Sequence, residues 1–298
     1  MATWTCSLLL FGLAFNTINA QAINLGTAAA FGVLGASDVT NTGPTIINGD
    51  LGVFPGTSIT GFPPGIINGA LHNSDAVAQI AQADATTAYN VAAGLAYSAG
   101  NDLTGQDLGG IILDPGVYHY DSSAGLTGTL TLDGKGDSNS VFVFQIGSTL
   151  ITGTGSTVAL VNGALACNVF WQVGSSATLG TGTVFNGNVL ALASITVNSG
   201  DTNAGGLYAL TGGITLINDV INAQPLCPNY QHQHQHNINQ FNRDRFVYNC
   251  FSYDPLANHG FAYDRFTYHH LIHERLVSGH LIHDRFVHTP LIHLIRGQ

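Results

Sequence analysis

Short apolar segments recur along the chain between residues 141 and 222, separated by Gly, Asn, Asp and Ser. Four of them align: "VFVFQIGSTLIT" from Val141, "VFWQVGSSATLGT" from Val169, "VLALASITVNSG" from Val189 and "LYALTGGITLIN" from Leu207. Their starts are 28, 20 and 18 residues apart, and the longest step indicates one insertion near "STVALVNGALA". About 18–20 residues accommodate three short strands, so the pattern predicts a β-solenoid whose coils bury their interior by stacking.

The first strand of each repeat is apolar on both faces. One side-chain parity carries Phe142, Phe144 and Phe170, and the other carries Val143 and Trp171. A strand that is apolar on both sides is covered on both sides. We therefore expect another element to pack on the outside of this face.

One segment has the pattern of a long helix, predicted over residues 73–97, with Asn73 or Ser74 as its N-cap. An apolar stripe near the 3.6 period contains Val77, Ile80, Ala81, Ala88, Val91, Ala92 and Leu95. A helix of about 23 residues is roughly 35 Å long. Coils stack at about 4.8 Å, so we expect it to lie along six or seven coils and to cover the doubly apolar face.

The second strand of each repeat has a different character. One position, expected to point inward, holds Leu150, Leu179, Val197 and Leu216. The position before it, expected to point outward, holds Thr149, Thr178, Thr196 and Thr215. This face is predicted to be uncharged, rich in Thr and free of the helix.

Columns of Thr on stacked coils repeat at about the 4.8 Å strand spacing. Such a lattice of methyl and hydroxyl groups, without charge, suits contact with ordered water. The alternative is that Thr is simply favoured on exposed strands.

The charge distribution excludes several functions. Residues 21–228 contain one basic residue, Lys135, and neither Arg nor Glu. Binding to nucleic acid or to anionic membranes needs clustered cations, so we expect neither partner. Polysaccharide cleavage needs placed carboxylates and often a cation beside them, so we expect no enzymatic activity.

The N-terminus resembles a secretory signal peptide over residues 1–20, with cleavage after Ala20 or Ala22, and predicts a secreted, extracellular protein. An oxidising compartment favours one disulfide, and Cys167–Cys227 is the pairing we predict. A buried free thiol at Cys167 is the alternative.

Residues 229–298 form a separate tail, rich in His and aromatic residues, for which we expect little fixed structure. From Asp244 it repeats every ten residues, with acidic residues at 244, 254, 264, 274 and 284. The pattern indicates expansion of a short repeat or a shifted reading frame. A second hypothesis is that His232, His234 and His236 bind a transition metal. The main interpretation includes no metal and no cofactor.

Long stretches of the body resemble one protein family. They include "LGTAAAFGVLGASDVTNTGPTIINGDLGVFPGTSITGFPPG", "LHNSDAVAQIAQADATTAYN" and "LVNGALACNVFWQVGSSATLGTGTVFNGNVLALASITVNSG". From about Ile23 to Ile221, the chain resembles the secreted microbial ice-binding (antifreeze) proteins. The resemblance implies a mainly β fold, a right-handed three-faced β-helix with one long α-helix packed alongside. It also implies adsorption to ice through a flat uncovered face, freezing-point depression and inhibition of recrystallisation.

The predicted site lies on the uncovered Thr-rich face and its rim, in a body spanning residues 21–228. Its predicted ice-binding residues are Thr149, Thr152, Thr178, Thr181, Thr196, Asn198, Ser199 and Thr215. Thr57, Thr60, Thr129 and Thr131 are expected to continue it into earlier coils, and Asp201 to lie at the rim. We expect a monomer. The alternative function is a cell-surface or matrix adhesion module without ice activity.

Overall fold

The computed structural model describes residues 23–223. One α-helix, α1 (Ala76–Ala93), and three 3-10 helices (Gly26–Ala30, Ala99–Asn101 and Ala166–Asn168) occur in this range. The strands in chain order are β1 Phe31–Gly35, β2 Asp38–Thr42, β3 Ile46–Asn48, β4 Asp50–Val53, β5 Ser58–Thr60, β6 Ile66–Ile67, β7 Leu71–Asn73, β8 Ile112–Leu113, β9 Gly116–Tyr120, β10 Ala124–Leu126, β11 Thr129–Asp133, β12 Phe142–Ile146, β13 Leu150–Thr152, β14 Thr157–Val161, β15 Val169–Val173, β16 Ala177–Leu179, β17 Val184–Asn186, β18 Asn188–Ala191, β19 Ile195–Val197, β20 Thr202–Ala204, β21 Leu207–Ala209, β22 Ile214–Ile217 and β23 Val220–Asn222.

The strands form three parallel sheets, which confirms the predicted three-faced solenoid. Sheet A has the order β7-β4-β1-β21-β18-β15-β12-β9. Sheet B has the order β10-β13-β16-β19-β22-β2-β5, and sheet C has the order β6-β3-β23-β20-β17-β14-β11-β8. Each complete coil runs from sheet A through sheet B to sheet C.

The coils are not stacked in chain order. The first coil, β1–β3, lies between the last coil, β21–β23, and the second coil, β4–β6. Strand β1 pairs with β21 on one side and with β4 on the other, both in parallel. The N-terminal part of the solenoid is therefore held directly against its C-terminal end.

The interior contains one continuous apolar core lined by all three sheets. Aromatic rings stack along the solenoid axis: the Phe144 ring lies 4.0 Å from the Trp171 ring, between centroids, and 5.5 Å from the Tyr118 ring. Within the coil of Trp171, the Phe185 ring packs against the Trp171 ring at a tilt of 43°, with 4.9 Å between centroids. Like side chains on successive coils thus pack on one another, as expected where each coil is stabilised by its neighbours.

Helix α1 packs along the outside of sheet A, as predicted. Its N-cap is Asp75, whose carboxylate accepts a hydrogen bond from the Ala78 amide at 2.8 Å, so the prediction of Asn73 or Ser74 is wrong. At 18 residues, it is about 27 Å long. It contacts sheet A from β7 to β12, a stretch of seven neighbouring strands.

The buried face of α1 agrees with the predicted stripe at Ala81, Ala88 and Ala92 and differs from it at Val77 and Ile80. Its apolar members are small, namely Ala78, Ala81, Ala85, Ala88 and Ala92. Val77 and Ile80, which were predicted to face the sheet, are 40% and 52% exposed. The reason is steric: sheet A presents large outward side chains, so the helix approaches with its smallest residues.

Those large side chains and the alanines form a second apolar core. Sheet A contributes Phe31, Leu34, Val143, Phe170, Leu190 and Tyr208. The Gln145 amide donates to the carbonyls of Ala92 at 2.8 Å and Leu95 at 2.7 Å, which satisfies acceptors at the helix C-terminus. The amide of Gln82 donates to the Ala209 carbonyl at 2.9 Å.

The strand register of sheet A corrects the sequence alignment by one residue between the first two repeats and by two residues between the second and the third, where Trp171 pairs with Val189. Phe142 pairs with Val169, and Phe144 with Trp171, in the core. Val143 and Phe170 pair with each other and lie under the helix.

The remaining predictions concern Cys167, the signal peptide and the tail. Cys167 is disulfide-bonded, so the free-thiol alternative is wrong. Its predicted partner Cys227, the signal peptide and the tail with its histidines lie outside the described residues. No helix among residues 23–223 is long and apolar enough to cross a bilayer.

Candidate functional site

The outer surface of sheet B is exposed, and its central positions are occupied mainly by Thr. In spatial order this central line holds Gly125, Ile151, Thr178, Thr196, Thr215, Thr40 and Thr60. We call its five consecutive threonines, Thr178, Thr196, Thr215, Thr40 and Thr60, the threonine column. Their inward neighbours are Ala177, Ile195, Ile214, Val39 and Ile59.

The threonine column is regular because parallel pairing continues across every strand of sheet B without a register shift. Five rungs span four steps of about 4.8 Å, or about 19 Å. The hydroxyls of Thr40 and Thr215 lie 3.3 Å apart and are hydrogen-bonded across the junction of the first and last coils. All five residues are partly or fully exposed.

Thr149 was predicted to align with Thr178, and this alignment is wrong by two residues. Leu150 pairs with Ala177 and Ile151 with Thr178, so Thr149 belongs to a neighbouring line beside Ser176 and Ser194. The Thr149 hydroxyl donates to the Ser123 hydroxyl at 2.7 Å. This second line therefore presents small hydroxyl side chains beside Thr178 and Thr196, and it continues with Gly213, Asp38 and Ser58.

The opposite rim of sheet B holds the remaining predicted residues. Thr181 is exposed in the turn after β16, and Asn198 and Ser199 are half-buried after β19. The Asn198 amide donates to the Leu179 carbonyl at 2.8 Å, which holds this side chain against the adjacent coil. Ile217 continues the rim on β22.

Thr152 does not belong to the surface, so its inclusion in the predicted site is wrong. It is 3% exposed and points into the corner between sheets B and C. Its hydroxyl accepts a hydrogen bond from the Gly180 amide at 2.8 Å and lies 3.0 Å from the Thr183 hydroxyl. A hydroxyl satisfied by neighbouring coils fixes the corner rather than contacting solvent.

The same corner contains a buried polar network formed by Thr183, Asp201, Asp219 and Thr45, which we call the corner network. The Asp201 carboxylate accepts from the Thr183 amide at 2.7 Å, and the Asp219 carboxylate accepts from the Asp201 amide at 3.1 Å. The Asp219 amide donates to the Thr45 hydroxyl at 3.1 Å. Asp201 is 1% exposed, so the expectation that it lies at the surface of the rim is wrong.

Burial determines the electrostatics of this corner. Removal from water disfavours the charged forms and raises the pKa of Asp201 to about 7 and that of Asp219 to about 6. The negative charge of Asp219 also raises the pKa of Asp201. Of the two Asp201 oxygens, Oδ2 has no hydrogen-bond partner.

The predicted continuation into earlier coils is only partly correct. Thr60 belongs to the threonine column, and Thr57 is exposed just before β5. Thr129 and Thr131 lie on β11, in sheet C, so their assignment to the site is wrong.

Thr40 was missed, although it lies beside Thr215. The signal that could have found it is a repeated dipeptide, an apolar residue followed by Thr, as in Val39-Thr40 and Ile214-Thr215.

The site offers surface contact rather than bond-making chemistry. On the strands of sheet B, charge occurs only at Asp38, the first residue of β2. Within residues 23–223, no group of three or more His, Cys, Asp or Glu side chains is arranged to hold a metal ion. A rigid, uncharged array of methyl and hydroxyl groups remains, presented to water.

Comparison with known proteins defines the class. A family model described as "Ice-binding-like" matches residues 33–222, which is most of the solenoid. The chain belongs to this family.

Individual relatives agree with this assignment. An ice-binding protein from Nostoc sp. (strain HG1) is 57% identical over 201 residues, covering 67% of this chain and 74% of the relative. An ice-binding protein from Colwellia sp. is 34% identical over 218 residues, covering 68% and 84%. The crystal structure of an ice-binding protein from the Antarctic ascomycete Antarctomyces psychrotrophicus matches with a TM-score of 0.65 and 48% identity, covering 67% of this chain and 98% of that structure.

Proposed function

We propose that this ice-binding protein adsorbs to ice through the outer surface of sheet B. The threonine column is the observation that carries the proposal. The column combines regular spacing, partial exposure and absence of charge, and it lies next to a second line that holds Ser176, Ser194 and Ser58 with one carboxylate, Asp38. The family match supports ice as the ligand and gives no support to the alternative of an adhesion module.

The proposed contact works through water held in a fixed pattern. Each Thr is branched at Cβ and has a restricted χ1 angle, so its methyl and hydroxyl keep defined positions. Methyl groups restrict the neighbouring water, and hydroxyls anchor it by hydrogen bonds. A charged side chain would impose its own hydration shell, and the column contains none.

The consequences for ice growth follow from irreversible adsorption at a flat surface. Ice is forced to grow as curved fronts between bound molecules, which lowers the freezing point and slows recrystallisation. We also propose that the protein acts outside the cell as a monomer, without catalysis, nucleic acid or membrane. The supporting observations are the predicted signal peptide and the scarcity of cations.

The test is Thr178→Tyr in the full chain. The Tyr ring would stand above the plane of the column and hold the surface away from ice. We expect loss of most of the freezing-point depression and of recrystallisation inhibition at equal protein concentration. The midpoint of thermal unfolding of the protein should stay close to that of wild type, because a change at a surface position typically alters stability by about 0.5 kcal/mol or less.

The matched control is Ile80→Tyr, which places the same ring on the exposed side of α1, at a residue that is 52% exposed. It should leave ice shaping and freezing-point depression unchanged. Full activity in Thr178→Tyr would refute sheet B as the ice-contacting face.

A further inference from the structure

Sheet C presents a second exposed outer surface that shares a corner with sheet B. Its first outward line holds, in spatial order, Ile66, Ile46, Val220, Thr202, Val184, Thr157 and Thr129. We call these seven residues the β-branched column, since every member is Val, Ile or Thr. None is buried, and Val184 and Ile66 are 46% and 50% exposed.

The line next to the β-branched column is small and polar. The Asn68 amide donates to the Asn48 side-chain oxygen at 2.8 Å, and the Asn48 amide donates to the Asn222 oxygen at 2.7 Å. Ala204 follows Asn222 in the same register. Because these side-chain amides are hydrogen-bonded to one another from strand to strand, they lie along the sheet and do not project far from it.

Charge is as scarce here as on sheet B. On the strands of sheet C, the only charged residue is Asp133, at the end of β11, where Lys135 lies 3.4 Å from its carboxylate. An exposed apolar stripe with so little charge marks an interaction surface.

The side chains of the β-branched column indicate whether a protein or ice binds to this surface. Protein interfaces are anchored by Trp, Tyr, Met or Arg in pockets. The outward positions of sheet C offer none of these, only a line of stiff branched side chains in register beside a line of small ones. A ladder of methyl groups about 4.8 Å apart instead matches the kind of surface proposed for sheet B.

The two faces are rigidly connected. The turns from sheet B to sheet C enclose the corner network, whose bonds run from Thr183 through Asp201 to Asp219. Since the sheets enclose one core, their outer surfaces face different directions.

We infer that the β-branched column of sheet C is a second ice-contacting face, which meets ice in an orientation different from that of sheet B. The nature of the ligand rests on the proposed function, whereas the location of the face does not. One molecule could then adsorb to two families of ice planes, one through each column.

The experiment uses the full chain with a fluorescent label, adsorbed to a single ice crystal. Wild type is expected to mark two sets of planes. Val184→Tyr, in the middle of the β-branched column, should lose one set and part of the freezing-point depression. Thr178→Tyr should lose the other set, and Ile80→Tyr should lose neither.

Each outcome is decisive. If Val184→Tyr marks the same planes as wild type with undiminished freezing-point depression, the inference is wrong. It is also wrong if wild type sediments as a dimer that Val184→Tyr dissociates, because the face would then bind a second copy. If Val184→Tyr abolishes activity while Thr178→Tyr does not, the inference stands and the proposal for sheet B fails. Should Val184→Tyr not fold, Thr202→Tyr, at another exposed rung, replaces it.

Discussion

The carboxyl group of Asp201 should make the protein less stable as the pH rises towards neutrality. Burial raises its pKa from 3.8 to about 7. Between these values the folded state keeps the proton while the unfolded chain releases it. The unfolded state therefore binds fewer protons, and the free energy of unfolding falls as the pH rises from about 4 to about 7.

The size of the effect follows from the two pKa values. The interval spans about 3 pH units, and each contributes about 1.4 kcal/mol, so this group alone would cost about 4 kcal/mol. Asp201→Asn should abolish this cost, because an amide does not ionise. The hydrogen bond from the Thr183 amide can be kept by the amide oxygen, and Oδ2 has no partner to lose.

The assay is denaturant unfolding of wild type and Asp201→Asn at a series of pH values between about 4 and 7. The two proteins should diverge as the pH rises, with the variant more stable at neutral pH. A matched control is Asp137→Asn, at an exposed carboxylate in a surface turn, which should track wild type. Parallel pH profiles for wild type and Asp201→Asn would show that Asp201 titrates normally and would refute the reasoning.

Two further predictions concern the contact between helix α1 and sheet A. Ala85→Leu adds volume on the face that packs on sheet A and should destabilise the fold by about 1–3 kcal/mol, whereas Ile80→Leu on the exposed side should have little effect. If the two variants unfold at the same temperature, the packing described for α1 is wrong. Gln145→Leu removes the amide that donates to the Ala92 and Leu95 carbonyls and should lower the free energy of unfolding by about 1–3 kcal/mol. An unchanged midpoint of denaturant unfolding would contradict this prediction.

The solenoid and its helix could be predicted because both have strong local patterns. Repeated apolar segments indicate stacked coils. A long Ala-rich segment indicates a helix, and a strand that is apolar on both faces indicates where this helix packs. The buried face of the helix could not be predicted from hydrophobicity alone. What decides it is the fit of small residues such as Ala85 against the large outward side chains of sheet A.

The candidate site was predicted at the level of the sheet but not of the register. A strand residue shifted by two points to the same side, so Thr149 and Ile151 are equally good outward rungs when judged by pattern. Only the pairing of Ile151 with Thr178 decides between them. Thr152 was misassigned because a hydroxyl that bonds to the next coil cannot be distinguished by sequence from one that faces water.

The placement of the first coil against the last determines when the threonine column can exist. Thr40 and Thr215 are 175 residues apart in the chain, so their contact has a very high sequence separation. Contacts of this kind require closure of a long loop and form slowly. A chain that has folded only the coils from β15 to β23 carries Thr178, Thr196 and Thr215, and the column gains Thr40 and Thr60 when the first two coils pack against the last one. The full five-rung surface is therefore a product of completed folding.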